Sequence, residues 1–168
     1  SLQAANLPDA LEDGERQGQG FVTVRHDVAL LAEMAGRAPQ VAAWGPQGEL
    51  AGYALGMLRE FSGRIPVLVP MFEQFGRLDW QGRPLEQCRF LVMGQVCVAK
   101  PFRGQGVFDG LYGAFREAYR GHYELAVTQI AERNGRSLRA HARVGFRPLH
   151  AYSDPRGEAW QVVAWDWR

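Results

Sequence analysis

The residues Val96-Cys97-Val98-Ala99-Lys100-Pro101-Phe102-Arg103-Gly104-Gln105-Gly106-Val107-Phe108 run from a strand-like stretch through a glycine-bearing loop straight into a helical pattern. Such a loop presents backbone N–H groups that lack partners, and the helix that follows adds a potential favourable to an anion. Gly104 and Gly106 carry no side chain where a phosphate would approach the backbone, and Arg103 adds positive charge. The ligand that suits this chemistry is a pyrophosphate. Taken alone, the glycines fit a tight strand-to-helix turn equally well. No Gly-Lys-Ser/Thr follows, so the loop is not of the Walker type, and Gly104-x-Gly106 lacks the third glycine of a dinucleotide-binding fingerprint.

A second set lies downstream, where Asn134, Ser137 and His141 fall at i, i+3 and i+7. That spacing puts the three along one face of a helix beginning near Gly135, within reach of a single ligand. Singly, each has a plainer reading: Asn134 as an N-cap, Ser137 as a small packing residue, His141 as a partly buried helix histidine. Their joint spacing downstream of the glycine loop favours the common ligand.

Both segments resemble signatures of the GNAT superfamily of N-acetyltransferases. The first is similar to the acetyl-CoA-binding motif Gln/Arg-x-x-Gly-x-Gly/Ala, with Arg103 and Gly106 matching and Phe108 standing where a small residue is usual. The second resembles the pattern Asn-x-x-Ala/Ser-x-x-x-Tyr/His-x-x-x-Gly-Phe and reads Asn134, Ser137, His141, Gly145, Phe146. The likeness runs from about Leu50 to Trp167, and the family's usual first strand is not legible upstream of it. It implies one mixed α/β GNAT domain over residues 1–168, a strongly twisted and largely antiparallel sheet flanked by helices, with acetyl-CoA as acyl donor and no metal. By the same resemblance the backbone of Val96, Cys97 and Val98 pairs with the pantetheine arm as an added strand. Arg103, Gly104, Gln105, Gly106, Val107 and Phe108 surround the pyrophosphate, the Phe108 side chain turning away and its N–H serving. Asn134 and Ser137 hold the pantetheine, and His141, in the family's Tyr position, donates to the departing sulfur as general acid.

The implied reaction is attack of an amine on the acetyl thioester, with coenzyme A leaving as a thiolate. An alkyl amine of pKa about 10 is mostly protonated at neutral pH and must lose a proton first. Many relatives use a glutamate on the strand before the loop, but between Phe90 and Ala99 the polar side chains are Gln95 and Cys97. Glu60, Glu73, Asp79 and Glu132 are other base candidates, each with the bland alternative of a solvated charge. Cys97 has no histidine beside it and reads more readily as a buried strand thiol than as a nucleophile. A domain that binds acyl-CoA without turning it over remains an alternative, with the missing strand carboxylate in its favour. The acceptor, a small-molecule or protein amine, is not legible, nor is whether the chain forms a homodimer.

These residues need elements to position them. Leu7 to Gln17 suits a short helix, Phe21 to Arg25 alternates like a strand, and Asp27 can cap a helix over Val28 to Gly36. Gln40 to Trp44 and Leu50 to Leu58, around Gly45-Pro46-Gln47-Gly48, read as a hairpin. The stretch 61–89 is broken by Gly63, Pro66, Pro70, Gly76, Gly82 and Pro84 and reads as a long connection. Its Met71, Phe72, Phe75 and Trp80 suit an acceptor wall and a local core about equally. Phe90 to Ala99 is strand-like with Gly94 as a bulge, and Gly104 to Tyr119 is an amphipathic helix. A strand over Tyr123 to Ile130, a helix over Gly135 to Arg143, and strands over Phe146 to Tyr152 and Ala159 to Trp167 complete the pattern.

Composition narrows the function classes. The 168 residues fit one domain, and nineteen Lys plus Arg against eighteen Asp plus Glu, spread without blocks, give no footprint for nucleic acid. Cys88 and Cys97 have no partner at metal-ligand spacing, which points to a reducing, cytoplasmic setting. No apolar run approaches the roughly eighteen residues of a membrane span, so no membrane partner is expected.

Overall fold

Residues 2–7, 22 and 24–168 are described in the computed structural model of the chain. Asp27 caps helix α1 (Val28–Arg37), its carboxylate accepting from the Leu30 N–H at 2.8 Å. The hairpin follows as β1 (Val41–Trp44) and β2 (Leu50–Met57). Val22, Val24 and Arg25 lie in no strand, and most of the helix read over Leu7 to Gln17 falls outside the described residues.

The stretch 61–89 holds more order than its glycines and prolines suggest. It contains helix α2 (Val69–Phe75) and a two-stranded hairpin of β3 (Asp79–Trp80) and β4 (Arg83–Pro84). Pro70 stands in the first turn of α2, where a missing N–H removes no helical hydrogen bond. Met71 and Phe75 are buried in the core, and Phe72 and Trp80 pack against it. Phe75, 1% exposed, meets the edges of Phe72 and Phe90 with ring centroids 6.1 and 6.2 Å away. Phe75→Ala should therefore lower unfolding free energy by about 3–5 kcal/mol in a denaturant titration. A change below about 1 kcal/mol would mean that the segment does not belong to the core.

Strand β5 (Phe90–Val98) leads to helix α3 (Val107–Tyr119), then β6 (Leu125–Ala131), α4 (Gly135–Val144), β7 (Arg147–Ser153) and β8 (Ala159–Asp166). The main sheet has the order β1-β2-β5-β6-β8-β7, antiparallel at every pair except β5 and β6. Successive residues alternate between its two faces. Phe90 and Val92 join the core with Met34 of α1 and Met71 and Phe75 of α2, while Leu91 and Met93 join the core with Leu111, Tyr112 and Phe115 of α3. Register between β2 and β5 shifts between Leu55 and Gly56, where Gly94 has no partner, so the bulge lies where the sequence suggests it.

Candidate functional site

The one parallel pair among the described strands creates the site. Strands β5 and β6 pair only over Phe90 to Val92 against Leu125 to Val127, although β5 continues to Val98 and β6 to Ala131. On its other edge β5 stays paired with β2 up to Gly52 against Val98. One edge of β5 is thus opened just before the glycine loop.

A cavity of about 420 Å³ occupies this opening. It is lined by Val96, Cys97 and Val98 of β5, by Arg103, Gly104 and Gly106 of the loop, and by Val107 and Phe108 of α3. Ser137 faces it from α4. Gly104 and Gly106 both have left-handed backbones, with φ of 76° and 79°, and a side chain added at either would meet no atom within 4 Å. Open space therefore lies above a loop whose conformation favours glycine. Gly106 is also the N-cap of α3, and the first helical hydrogen bond runs from the Gly110 N–H to the Gly106 carbonyl. The N–H groups of Val107, Phe108 and Asp109 precede that bond and find no acceptor within the helix.

An acidic residue in the first turn would oppose an anion here, and Asp109 occupies that turn. Arg143 of α4 offsets it by donating to both carboxylate oxygens at 2.9 and 3.2 Å. Arg136 and Arg139 also line the cavity from α4. These arginines were legible as an i, i+3, i+7 stripe, but the sequence reading gave its weight to the neighbouring stripe of Asn134, Ser137 and His141. Helix α4 presents Arg136, Ser137, Arg139, Ala140 and Arg143 to the cavity, while Asn134 and His141 face elsewhere.

Asn134 is 5% exposed and caps α4, its side chain accepting from the Ser137 N–H at 3.3 Å. Gln105 turns its amide back to the Pro101 carbonyl at 2.6 Å. Neither residue lines the cavity. Phe108 does line it, and its ring lies 4.9 Å from that of Tyr112 and 5.3 Å from that of His141.

His141 differs most from the sequence expectation. It is 3% exposed, and its Nδ1 lies 2.8 Å from the Ser137 carbonyl, which can only accept, so Nδ1 carries the proton. Nε2 then accepts from the Tyr112 hydroxyl at 2.5 Å. Both nitrogens are engaged inside a box formed with the rings of Phe108, Tyr112 and Phe146. Burial pushes the imidazole pKa down to about 4, against a smaller opposing effect of the Ser137 carbonyl. The resemblance implied a donor to a departing sulfur; in this arrangement both ring nitrogens are taken up inside the protein, and His141 joins α4 to α3 as a neutral anchor. Helical spacing alone cannot show which flank of a stripe turns inward.

On the opposite face of β5, Gln95 and Cys97 are buried. The Gln95 carbonyl accepts from the Tyr53 hydroxyl at 2.6 Å and from the Gln3 amide at 2.9 Å, while its own amide donates to the Val24 carbonyl at 2.7 Å. Burial pushes the Cys97 thiol up to about 11, with Arg103 and Tyr53 acting in the other direction, so the thiol stays protonated at neutral pH. Glu60, Glu73, Asp79 and Glu132 are exposed and line no part of the cavity. Among the described residues no group of three or more His, Cys, Asp or Glu is placed to hold a metal ion, and no helix is long and apolar enough to cross a membrane.

No protein-family model matches the chain, and no curated protein sequence matches it. Solved structures do. A nourseothricin acetyltransferase superposes with a TM-score of 0.54 at 19% identity over 76% of this chain, which spans 64% of that protein's length. An acetyltransferase structure described as of the GNAT family, from Desulfovibrio desulfuricans, gives 0.56 at 12% identity, covering 77% of this chain and 69% of the other. A NatB acetyltransferase complex bound to CoA and MES gives 0.62 at 10% identity, covering 86% and 85%. The mixed, mostly antiparallel sheet with its flanking helices is the GNAT acetyltransferase fold.

Proposed function

We propose that this GNAT-fold chain is an N-acetyltransferase that moves an acetyl group from acetyl-CoA to a primary amine by direct attack within a ternary complex. The observation that carries the reading is the junction of the unpaired β5 edge with the glycine loop at the α3 N-terminus. A single cavity offers both a strand edge for an amide-bearing arm and a cluster of N–H groups for a pyrophosphate. That a neighbour of the same fold is bound to CoA agrees with it.

In this reading the backbone of Val96 to Val98 aligns the pantetheine amides, and the loop and the first turn of α3 hold the diphosphate. Arg136 and Arg139 add positive charge along the cofactor. The neutral amine attacks the thioester carbon, a tetrahedral intermediate collapses, the C–S bond breaks, coenzyme A leaves as a thiolate, and the nitrogen gives its extra proton to solvent as the amide forms. A thiol pKa of about 8.5 makes that leaving group tolerable near neutrality without a strong acid, so positioning and polarisation of the carbonyl supply most of the acceleration. Cys97, held as a thiol, forms no acyl intermediate.

Two measurements test this. Acetyl-CoA should raise the melting temperature while ATP and NAD do not, because the pyrophosphate cradle is continuous with a strand edge that only a pantetheine arm can use. Thiol release from acetyl-CoA across a panel of small amines and peptides should then rise for at least one acceptor, with acetylated product detected by mass. Equal stabilisation by ATP would remove the assignment. Stabilisation by acetyl-CoA with no transfer to any amine would leave a binding domain in place of an enzyme.

A further inference from the structure

Residues 2–7 reach the cavity from outside both sequence signatures. Asn6 lines the cavity and is 5% exposed. Its Oδ1 accepts from Arg103 Nη2 at 2.6 Å, across 97 positions of sequence. Its Nδ2 donates to the Leu2 carbonyl at 2.9 Å, and because that carbonyl can only accept, the amide is oriented with its oxygen toward Arg103. The Asn6 backbone is fixed as well, its N–H donating to the Gln3 carbonyl at 3.1 Å and its own carbonyl accepting from the Val22 N–H at 3.0 Å. A second bond, from Arg103 Nε to the Val98 carbonyl at 3.2 Å, ties the guanidinium to the end of β5.

Bonds at Nε and Nη2 together fix the rotation of the guanidinium plane. A guanidinium recognises phosphate through a rigid planar fork, so its orientation matters as much as its charge. We propose that Asn6 is a positioning residue for the cofactor, holding the Arg103 guanidinium between Val98 and itself in the orientation that receives the pyrophosphate. The inference rests on the reading of the cavity as a coenzyme A site. A neutral carboxamide suits the role because it accepts a hydrogen bond and leaves the arginine charge intact, whereas a carboxylate would cancel it.

The test is a calorimetric titration of wild type, Asn6→Ala and Asn6→Asp, each as the full chain, with coenzyme A and with pantetheine, which lacks the pyrophosphate. Melting temperatures without ligand are recorded alongside. Asn6→Ala should weaken coenzyme A binding about tenfold and leave pantetheine binding, measured in the millimolar range, unchanged. Asn6→Asp keeps the acceptor but adds an anion, and should weaken coenzyme A more than Asn6→Ala does. If Asn6→Ala binds coenzyme A as wild type does, or loses affinity for both ligands by the same factor, Asn6 is only a structural pin. Failure of wild type to bind coenzyme A would instead overturn the reading of the cavity, and the inference with it.

Discussion

Gly106→Glu should weaken acetyl-CoA binding by about a hundredfold or more while the protein remains folded. The residue has φ of 79° and caps the N-terminus of α3, and nothing within 4 Å obstructs a side chain there. A non-glycine residue in this backbone region costs about 1–2 kcal/mol. A carboxylate some 5 Å from a phosphate at an effective dielectric near 20 adds roughly 3 kcal/mol of repulsion. The second effect acts only in the complex and is the larger. Gly106→Ala separates the two, since it brings the backbone strain without the charge and should leave affinity within a few fold. If Gly106→Glu binds acetyl-CoA within about threefold of wild type, the phosphate cradle lies elsewhere.

His141→Phe should destabilise the protein by roughly 2–4 kcal/mol and leave turnover per folded molecule nearly unchanged. The phenyl ring keeps the aromatic box but strands the Ser137 carbonyl and the Tyr112 hydroxyl in a buried site, and each unsatisfied group costs about 1–3 kcal/mol. The substitution should also alter the response to pH. His141 titrates at about 4 when folded and at 6.5 when unfolded, so between these values the unfolded chain binds a proton that the folded chain refuses. The stability this group contributes is present above pH 6.5 and lost as pH falls toward 4, an effect on the order of 3 kcal/mol in full. His26, also buried and also lowered, adds to the same slope. His141→Phe should flatten that slope by the share His141 carries, measured as unfolding free energy at several pH values. A fall in kcat with stability and pH slope unchanged would return His141 to the chemistry.

The pattern of legible and illegible features follows from what each signal encodes. Strand β5, the Gly94 bulge and helix α3 were readable because period-two burial on both faces, an isolated glycine and a three-to-four apolar stripe are local properties. The loop was readable because two left-handed backbones need glycine at Gly104 and Gly106. Helix α2 was hidden because Pro70 signals a break unless its place in the first turn is known. The divergence of β5 from β6 was not legible at all, since it depends on where a parallel pairing of distant strands stops. Along α4 the periodicity was legible but the exact facing was not: Arg136, Ser137, Arg139 and Arg143 line the cavity, whereas Asn134 caps the helix and His141 sits among core rings. Asn6 carried no signal because its partner Arg103 is far away in the chain.

Hydrogen exchange with and without acetyl-CoA tests the central claim most directly, because it reports where the ligand sits residue by residue without needing an acceptor. Saturating acetyl-CoA should slow exchange of the amides of Val96 to Val98 and of Gly106 to Asp109, two stretches that line the cavity, while β7 and β8, which do not line it, remain unchanged. ATP at the same concentration should leave Val96 to Val98 unprotected. Protection by acetyl-CoA elsewhere, with these two stretches unaffected, would contradict the account.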